Sequence, residues 1–377
     1  LKIIALSNCP LDPGLGSGRT RLAWSAGLRA LGHEVRVVDT NELLAGAAEN
    51  QAGRRLRIGW NGWRWLETHG LADVDLIEFY GAEFWPATWR LAAKTGRRPF
   101  LAAHTDGLEL LAAERLAAAA PANGPGAPPS PPWRSAAAAL LRRGEKLAFS
   151  RCDGFVTGCE LDRRYLVERG IGNPARMEVI PLGLEPAYLD LPAPGVREQR
   201  VAFLGSWIER KGIVHLVKTM VPLLESRPGL HLDLLGVGCE ESQPLSDFPA
   251  NLHARITVRA RLSIPELTGA LPRARVFFFP SDYEGFGLGL AEAMACGCAA
   301  VTTPTGFGAQ LADGREALIC GFGDVGAMRP AIERLLDDEA LCLRVARAGW
   351  QRVQALRWET SVRRLEETYL QWIAAGS

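Results

Sequence analysis

Twelve short apolar runs, each separated from the next by a stretch of helical spacing or a turn, recur from one end of this 377-residue chain to the other. In the first half they are Ile3–Ser7, Glu34–Asp39, Leu76–Tyr80, Phe100–His104, Gly154–Thr157 and Met177–Ile180. In the second they are Val201–Gly205, His231–Gly236, Ile256–Arg259, Val276–Pro280, Ala299–Thr303 and Ala317–Cys320. Strands joined through helices must run parallel, because a crossover returns the chain to the same end of the sheet. The run Val276-Phe-Phe-Phe279 has no polar alternation, as expected of a strand covered on both faces. The fold class predicted is therefore α/β, with doubly wound parallel sheets. A chain of this length exceeds what one core usually organises, so two domains are expected. The stretch Leu184–Arg200 is rich in Pro and Glu and lacks periodicity. It places the domains at residues 1–185 and 201–357, with a linker at 186–200 and a closing helix over 358–377.

Bulk charge excludes several functions. With 43 basic and 42 acidic residues the net charge is +1, which does not describe a generic nucleic-acid binder. Only Lys2, Lys94, Lys146, Lys211 and Lys218 are lysines, so almost every cation is Arg. That bias follows from a GC-rich coding sequence more than from a binding surface, and it singles out each lysine that remains. No apolar run reaches the roughly 18 residues that would span a bilayer. The N-terminus opens as a strand with no leader pattern, so a cytoplasmic protein is expected. The eight cysteines form no C-x-x-C pair and have no His at zinc spacing; reduced thiols are expected, with no structural metal.

Two stretches break the rhythm. Pro121–Trp133 reads PANGPGAPPSPPW, too rich in Pro and Gly to pack, and predicts a long mobile loop. Gly53–Trp65 reads GRRLRIGWNGWRW, interleaving Arg and Trp. It fits either an interfacial or acceptor-contacting patch, or a helix that packs its Trp face and solvates its Arg face. The packed helix is the simpler expectation.

Three loops carry candidate chemistry. After the first strand, Gly14, Gly16 and Gly18 precede a helical pattern, which lets backbone approach an anion at a helix N-terminus. Asp39 at the end of the second strand invites a dinucleotide reading. However, the glycines come about eight residues after the strand and lack the G-x-G-x-x-G turn. A looser loop over a phosphate or sugar fits better. In the second half, the strand Val276–Pro280 runs into Ser281-Asp-Tyr-Glu284-Gly-Phe-Gly-Leu-Gly-Leu-Ala-Glu292-Ala-Met-Ala-Cys-Gly297. Glu284 falls in the turn and Glu292 about one turn inside the helix, with Gly297 at its C-terminal cap. The amides of Gly285, Phe286, Gly287 and Leu288 face the same crevice. Amides for an anion plus carboxylates for hydroxyl groups suit a phosphorylated, polyhydroxylated ligand. Finally, Gly205 leads through Ser206 to Arg210-Lys211-Gly212 at a helix start, where each cation opposes the helix dipole by roughly 0.3–1 kcal/mol unless an anion is bound.

These residues carry a resemblance. The E-x7-E spacing in EGFGLGLAEAMACG is similar to the signature of family 4 retaining glycosyltransferases of GT-B fold. The G-x-x-x-x-R-K-G run at Gly205–Gly212, the glycine-rich first loop, the IPLGL stretch and the terminal LEETYLQW helix extend it over nearly the whole chain. The resemblance implies two Rossmann-like domains facing a central cleft, the N-terminal one taking the acceptor and the C-terminal one a nucleotide-sugar donor, with the closing helix crossing back to the first. It implies that Glu284 binds donor sugar hydroxyls, Glu292 the ribose, and Arg210 and Lys211 the diphosphate. Gly16 and Gly18 would close over the diphosphate, and His104, in AAHTDG, would stand beside the donor sugar. Two positions depart from the family pattern: Ser206 replaces a usual Arg, and Gln310 a usual acid.

The expectation is metal-independent transfer, with retained configuration and no cofactor, from a nucleoside-diphosphate sugar to an acceptor hydroxyl on a saccharide, lipid-linked sugar or natural product. Weak peripheral membrane contact is the further partner expected, and nucleic acid is not one. Alternatives are a GT-B-like epimerase or phosphorylase, a catalytically weakened nucleotide-sugar binder and, more distantly, an NAD enzyme.

Overall fold

The computed structural model describes residues 1–44, 51–119 and 132–375. The expected loop at 121–133 lies outside them except for Pro132 and Trp133, which open the helix Pro132–Arg151. All twelve predicted strands are present, none with an end displaced by more than three residues. They are β1 (Lys2–Ser7), β2 (Glu34–Val38), β3 (Leu76–Tyr80), β4 (Phe100–Thr105), β5 (Gly154–Thr157), β6 (Met177–Val179), β7 (Glu198–Leu204), β8 (His231–Leu235), β9 (Ile256–Arg259), β10 (Ala274–Phe279), β11 (Ala299–Thr302) and β12 (Leu318–Ile319).

The strands form two six-stranded parallel sheets, in the orders β2-β1-β3-β4-β5-β6 and β12-β11-β10-β7-β8-β9. The described chain divides into two compact units. The first comprises Leu1–Ala113, the segment from Pro132 to Leu182, and the residues from Trp358 on; the second is Gly183–Arg357 with residues 114–119. Residues 184–200 are more ordered than their composition suggested, for they hold the helix Pro186–Leu189 and the start of β7.

Alternation along β1 shows why helices cover both faces of the first sheet. Ile3 and Ala5 point into a core with Trp24, Leu28, Val362, Leu365, Tyr369 and Trp372, contributed by the helices Gly16–Ala30 and Trp358–Ala374. Ile4 and Leu6 point the other way, toward Ile58, Trp63, Leu66, Phe84 and Leu91 of the segment 51–92. The Arg/Trp stretch is therefore helical, within Gln51–His69, and Trp63 packs inward as expected. Trp60 does not; it is 48% exposed.

Both sheets have a topological switch point, where adjacent strands send their connections to opposite sides. In the first sheet it lies between β1 and β3, and in the second between β7 and β10. Ligands of open parallel sheets bind beyond the carboxyl ends of the strands at such points.

Candidate functional site

Beyond the carboxyl end of β7 the chain turns at Gly205, whose φ of 154° few other residues adopt. It then enters a short turn, Glu209–Lys211, and starts the helix Ile213–Ser226. Arg210 and Lys211 thus precede the helix rather than occupy its first turn. Between them and the helix stands Gly212 at φ 70°, where an added Cβ would come within 1.9 Å of the Pro280 carbonyl oxygen. Only glycine lets this turn rest on the neighbouring loop.

That neighbour is the loop after β10. Three contacts join the two: the Asp282 amide donates to the Arg210 carbonyl (3.0 Å), Arg210 Nη1 donates to the Tyr283 carbonyl (3.1 Å), and Lys211 Nζ donates to both oxygens of Glu284 (2.8 and 2.9 Å). Arg210 Nη1 also lies 4.0 Å from Glu284 Oε2, and Lys211 Nζ lies 5.4 Å from the centroid of the Phe279 ring. The penalty for cations before a helix is thus offset by the protein's own buried carboxylate, Glu284 being 5% exposed.

The Glu284 loop is held from its far side. Its amide donates to Thr305 Oγ1 (2.8 Å), and the Phe307 amide donates to the Phe286 carbonyl (2.6 Å). Gly306, at φ 52°, lies so close that a Cβ would come within 2.4 Å of that carbonyl oxygen. Gly287, in the left-handed region at φ 91°, caps the helix Leu288–Ala295 at its N-terminus. Among the described residues the amides of Gly285, Phe286 and Gly287 donate no hydrogen bond. Glu292 sits one turn inside the helix and is 3% exposed. Gly297 closes it at φ 77°, its amide donating to Met294 while Cys298 donates to Ala293. The structure therefore brings Gly205, Arg210, Lys211, Glu284 and the amides of residues 285–287 to one edge of the second sheet, with Leu288 and Glu292 on the helix that follows. Ser206 follows Gly205 there, and Gln310 is exposed at the end of the turn Gly306–Gln310.

The predicted residues of the first unit are placed differently. Gly18 is fixed by its own loop, since a Cβ would come within 2.4 Å of the Asp12 carbonyl oxygen; Gly16 has open space around it. His104 is 4% exposed. Its Nε2 hydrogen-bonds the Tyr369 hydroxyl, which donates to Glu78 Oε1 (2.6 Å), and its ring packs against Tyr80 and the edge of Trp24. This ties His104 into the core between β3, β4 and the closing helix, a structural part that the family resemblance did not imply. Burial beside Glu78 pushes the Tyr369 hydroxyl well above the usual tyrosine range, so it keeps the proton it donates.

Sequence reasoning singled out the glycine loop after β1, at the switch point of the first sheet, but missed the buried charged side chains there. There the buried Glu83 carboxylate accepts from Arg55 Nε (2.8 Å) and Asn8 Nδ2 (3.1 Å). Nearby, buried Arg21 forms a two-pronged pair with Asp106 (2.7 and 2.5 Å), its guanidinium carbon 4.1 Å from the Tyr80 ring centroid. The available signal was an acid within three residues of the end of an apolar strand, in YGAEF and HTD. No group of three or more His, Cys, Asp and Glu side chains is arranged to hold a metal among the described residues. The eight cysteines are free thiols, and burial pushes that of Cys298 up to about 12.

Comparison with known proteins agrees with this fold. Residues 16–183 match the family model described as glycosyl transferase 4-like domain, and residues 198–338 match the one described as glycosyl transferases group 1. The glycogen synthase of Mycobacterium tuberculosis is 29% identical over 201 residues, 52% of this chain and 49% of that protein. This match spans about half the length of the curated relative. Sucrose-phosphate synthase from Thermosynechococcus elongatus shares the fold across 100% of both chains, with a TM-score of 0.78 at 21% identity. The Anabaena HepE structure in complex with UDP-glucose does so over 98% of this chain and 99% of that one, with a TM-score of 0.70 at 15% identity.

Proposed function

Because the chain belongs to the group 1, family-4-like glycosyltransferases, we propose that it moves a hexose from a nucleoside-diphosphate sugar to an acceptor hydroxyl, retaining the anomeric configuration and using no metal ion. The observation that carries the reading is the Lys211–Glu284 pair beside the amides of Gly285, Phe286 and Gly287, which donate no hydrogen bond among the described residues. An arriving diphosphate competes with Glu284 for Lys211. The exchange leaves the ammonium on phosphate and frees the carboxylate to accept hydrogen bonds from sugar hydroxyls. Arg210 adds a second cation and Glu292 takes the ribose hydroxyls. As the bond from the anomeric carbon to the phosphate oxygen breaks, charge accumulates on the diphosphate, and preorganised donors are worth about 10²–10³ in rate each. The acceptor oxygen bonds the same face of that carbon, and its proton passes to the departing phosphate oxygen. No protein nucleophile is assigned. The UDP-glucose bound in HepE, which shares this fold, supports a nucleotide-sugar donor.

The test is to incubate the protein with UDP-, GDP-, ADP- and TDP-hexoses, following nucleoside diphosphate release and the product anomer by NMR. One donor is expected to be turned over with retained configuration, unaffected by EDTA. An inverted product, or loss of activity with EDTA, contradicts the mechanism. Ser206, standing where the family pattern has Arg, favours one second reading, a nucleotide-sugar binder of weakened activity. Donor binding without release from any of the four would favour it.

A further inference from the structure

The helices Gln51–His69 and Trp85–Ala92 present a face that the donor site does not use. Ile58, Trp63 and Leu66 of the first helix point inward, leaving Leu56, Trp60 and Arg64, four residues apart, on one outward stripe. Two glycines set how closely this helix approaches the next segment. A Cβ on Gly59 would come within 1.9 Å of the Glu83 carbonyl oxygen, and one on Gly62 within 2.8 Å of the Phe84 ring. The close approach gathers three indoles around one cation: the Arg90 guanidinium lies 5.0, 5.4 and 5.5 Å from the ring centroids of Trp60, Trp63 and Trp89. Trp60 is 48% and Trp89 45% exposed, and Leu56 beside them is also exposed.

A single exposed apolar residue needs no explanation, but two half-exposed indoles and a leucine around an arginine do. Charge indicates the occupant. Residues 53–66 contain four arginines and no acid, and residues 85–97 contain Arg90, Lys94 and Arg97 and no acid, in a chain whose net charge is +1. Of these cations, Arg55 is turned to Glu83, while Arg54 and Arg64 are exposed. The first exposed acid along the outward stripe is Glu67, one turn beyond Arg64. Indole sits best where an apolar body meets a wet polar layer, and guanidinium pairs with phosphate through two parallel hydrogen bonds.

We propose that this face docks on the surface of an anionic lipid bilayer, with Leu56, Trp60 and Trp89 at the boundary between headgroups and acyl chains and Arg64 and Arg90 on lipid phosphates. Docking of this kind needs no spanning segment; among the described residues no helix is long and apolar enough to cross a membrane. Docking requires no sugar transfer, so its test is independent of the donor reading.

The experiment is sedimentation of the full chain with vesicles of phosphatidylcholine alone and of phosphatidylcholine mixed with phosphatidylglycerol. Binding is expected only to the mixed vesicles, weakening as salt is raised. Arg64→Gln should lower the partition coefficient about fivefold, from roughly 1 kcal/mol per cation near the surface. Trp60→Ser with Trp89→Ser should lower it about tenfold or more. These positions are exposed, so an unchanged Tm shows that each variant is folded. Absence of binding, equal binding to neutral vesicles, or variants that bind like the parent would overturn the proposal. So would quenching of tryptophan fluorescence by maltoheptaose without vesicle binding, which would make the face a carbohydrate platform.

Discussion

An ammonium gripped by both oxygens of one buried carboxylate is neutral as a pair, and removing either partner leaves the other charged and poorly solvated. Lys211 and Glu284 form such a pair. On the proposed mechanism Lys211→Ala lowers turnover about 10²-fold or more, because it removes the cation proposed to face the departing diphosphate. Donor-release assays check this, and turnover within a few-fold of the parent would remove Lys211 from the mechanism. Tyr369→Phe tests a different residue. It withdraws the hydroxyl that serves Glu78 and His104 in the core of the first unit, and is expected to destabilise the fold by about 1–3 kcal/mol in urea unfolding. Equal stability would mean that Glu78 finds another donor. Lys211 was legible in the sequence because lysine is so rare there, and Glu284 and Glu292 because of their spacing. Glu78 was not, although a glutamate inside the apolar strand LIEFY must find a buried donor. Its donor lies 291 residues away on the closing helix, and no local pattern connects the two.

The site is assembled by turns rather than by helices or strands, and glycines at positive φ decide how closely the turns meet. Gly212→Ala would force a Cβ against the Pro280 carbonyl and strain the backbone at φ 70°. We expect it to reduce nucleotide binding at least tenfold by displacing Lys211; calorimetric titration with the preferred diphosphate checks this, and parent-like affinity would contradict it. Elements also set a pH dependence. Glu145, in the helix Pro132–Arg151, accepts from the amides of Glu109 and Leu110 at the start of the helix Glu109–Ala119. Burial, with the nearby Glu109 charge, nevertheless pushes its carboxyl up to about 8 from an ordinary 4.5. Between those values the folded protein holds a proton that the unfolded chain has released, so stability falls as pH rises through that window. Glu145→Gln, isosteric with the protonated acid, should flatten that part of the Tm–pH curve; parallel curves would refute the assignment. Strands were read to within three residues because continuous apolar runs of parallel strands are distinctive. The turn carrying Arg210 and Lys211 was read as the start of the helix, because a single turn followed by a left-handed glycine has no periodicity to set it apart.

At the scale of the whole molecule, a near-neutral chain carries a local concentration of positive charge on the arginine- and tryptophan-bearing face of the first unit. At the switch point of the second sheet the Arg210–Lys211 turn is instead matched by the buried Glu284 carboxylate. Net charge hid both arrangements, since bulk balance says nothing about where charges gather. Strand order was not legible either. Periodicity gives parallel strands but not their sequence across a sheet, and it is the order β12-β11-β10-β7-β8-β9 that brings the loops after β7 and β10 side by side. The central claim is that this edge binds a nucleoside diphosphate through Lys211. It is tested most directly by melting the full chain and its Lys211→Ala variant with UDP, GDP, ADP and TDP. One nucleotide should raise the parent's Tm, since a ligand at 100 times its Kd adds about 2.7 kcal/mol, and the shift should vanish in the variant. No shift with any of the four, or an equal shift in both proteins, would contradict the account.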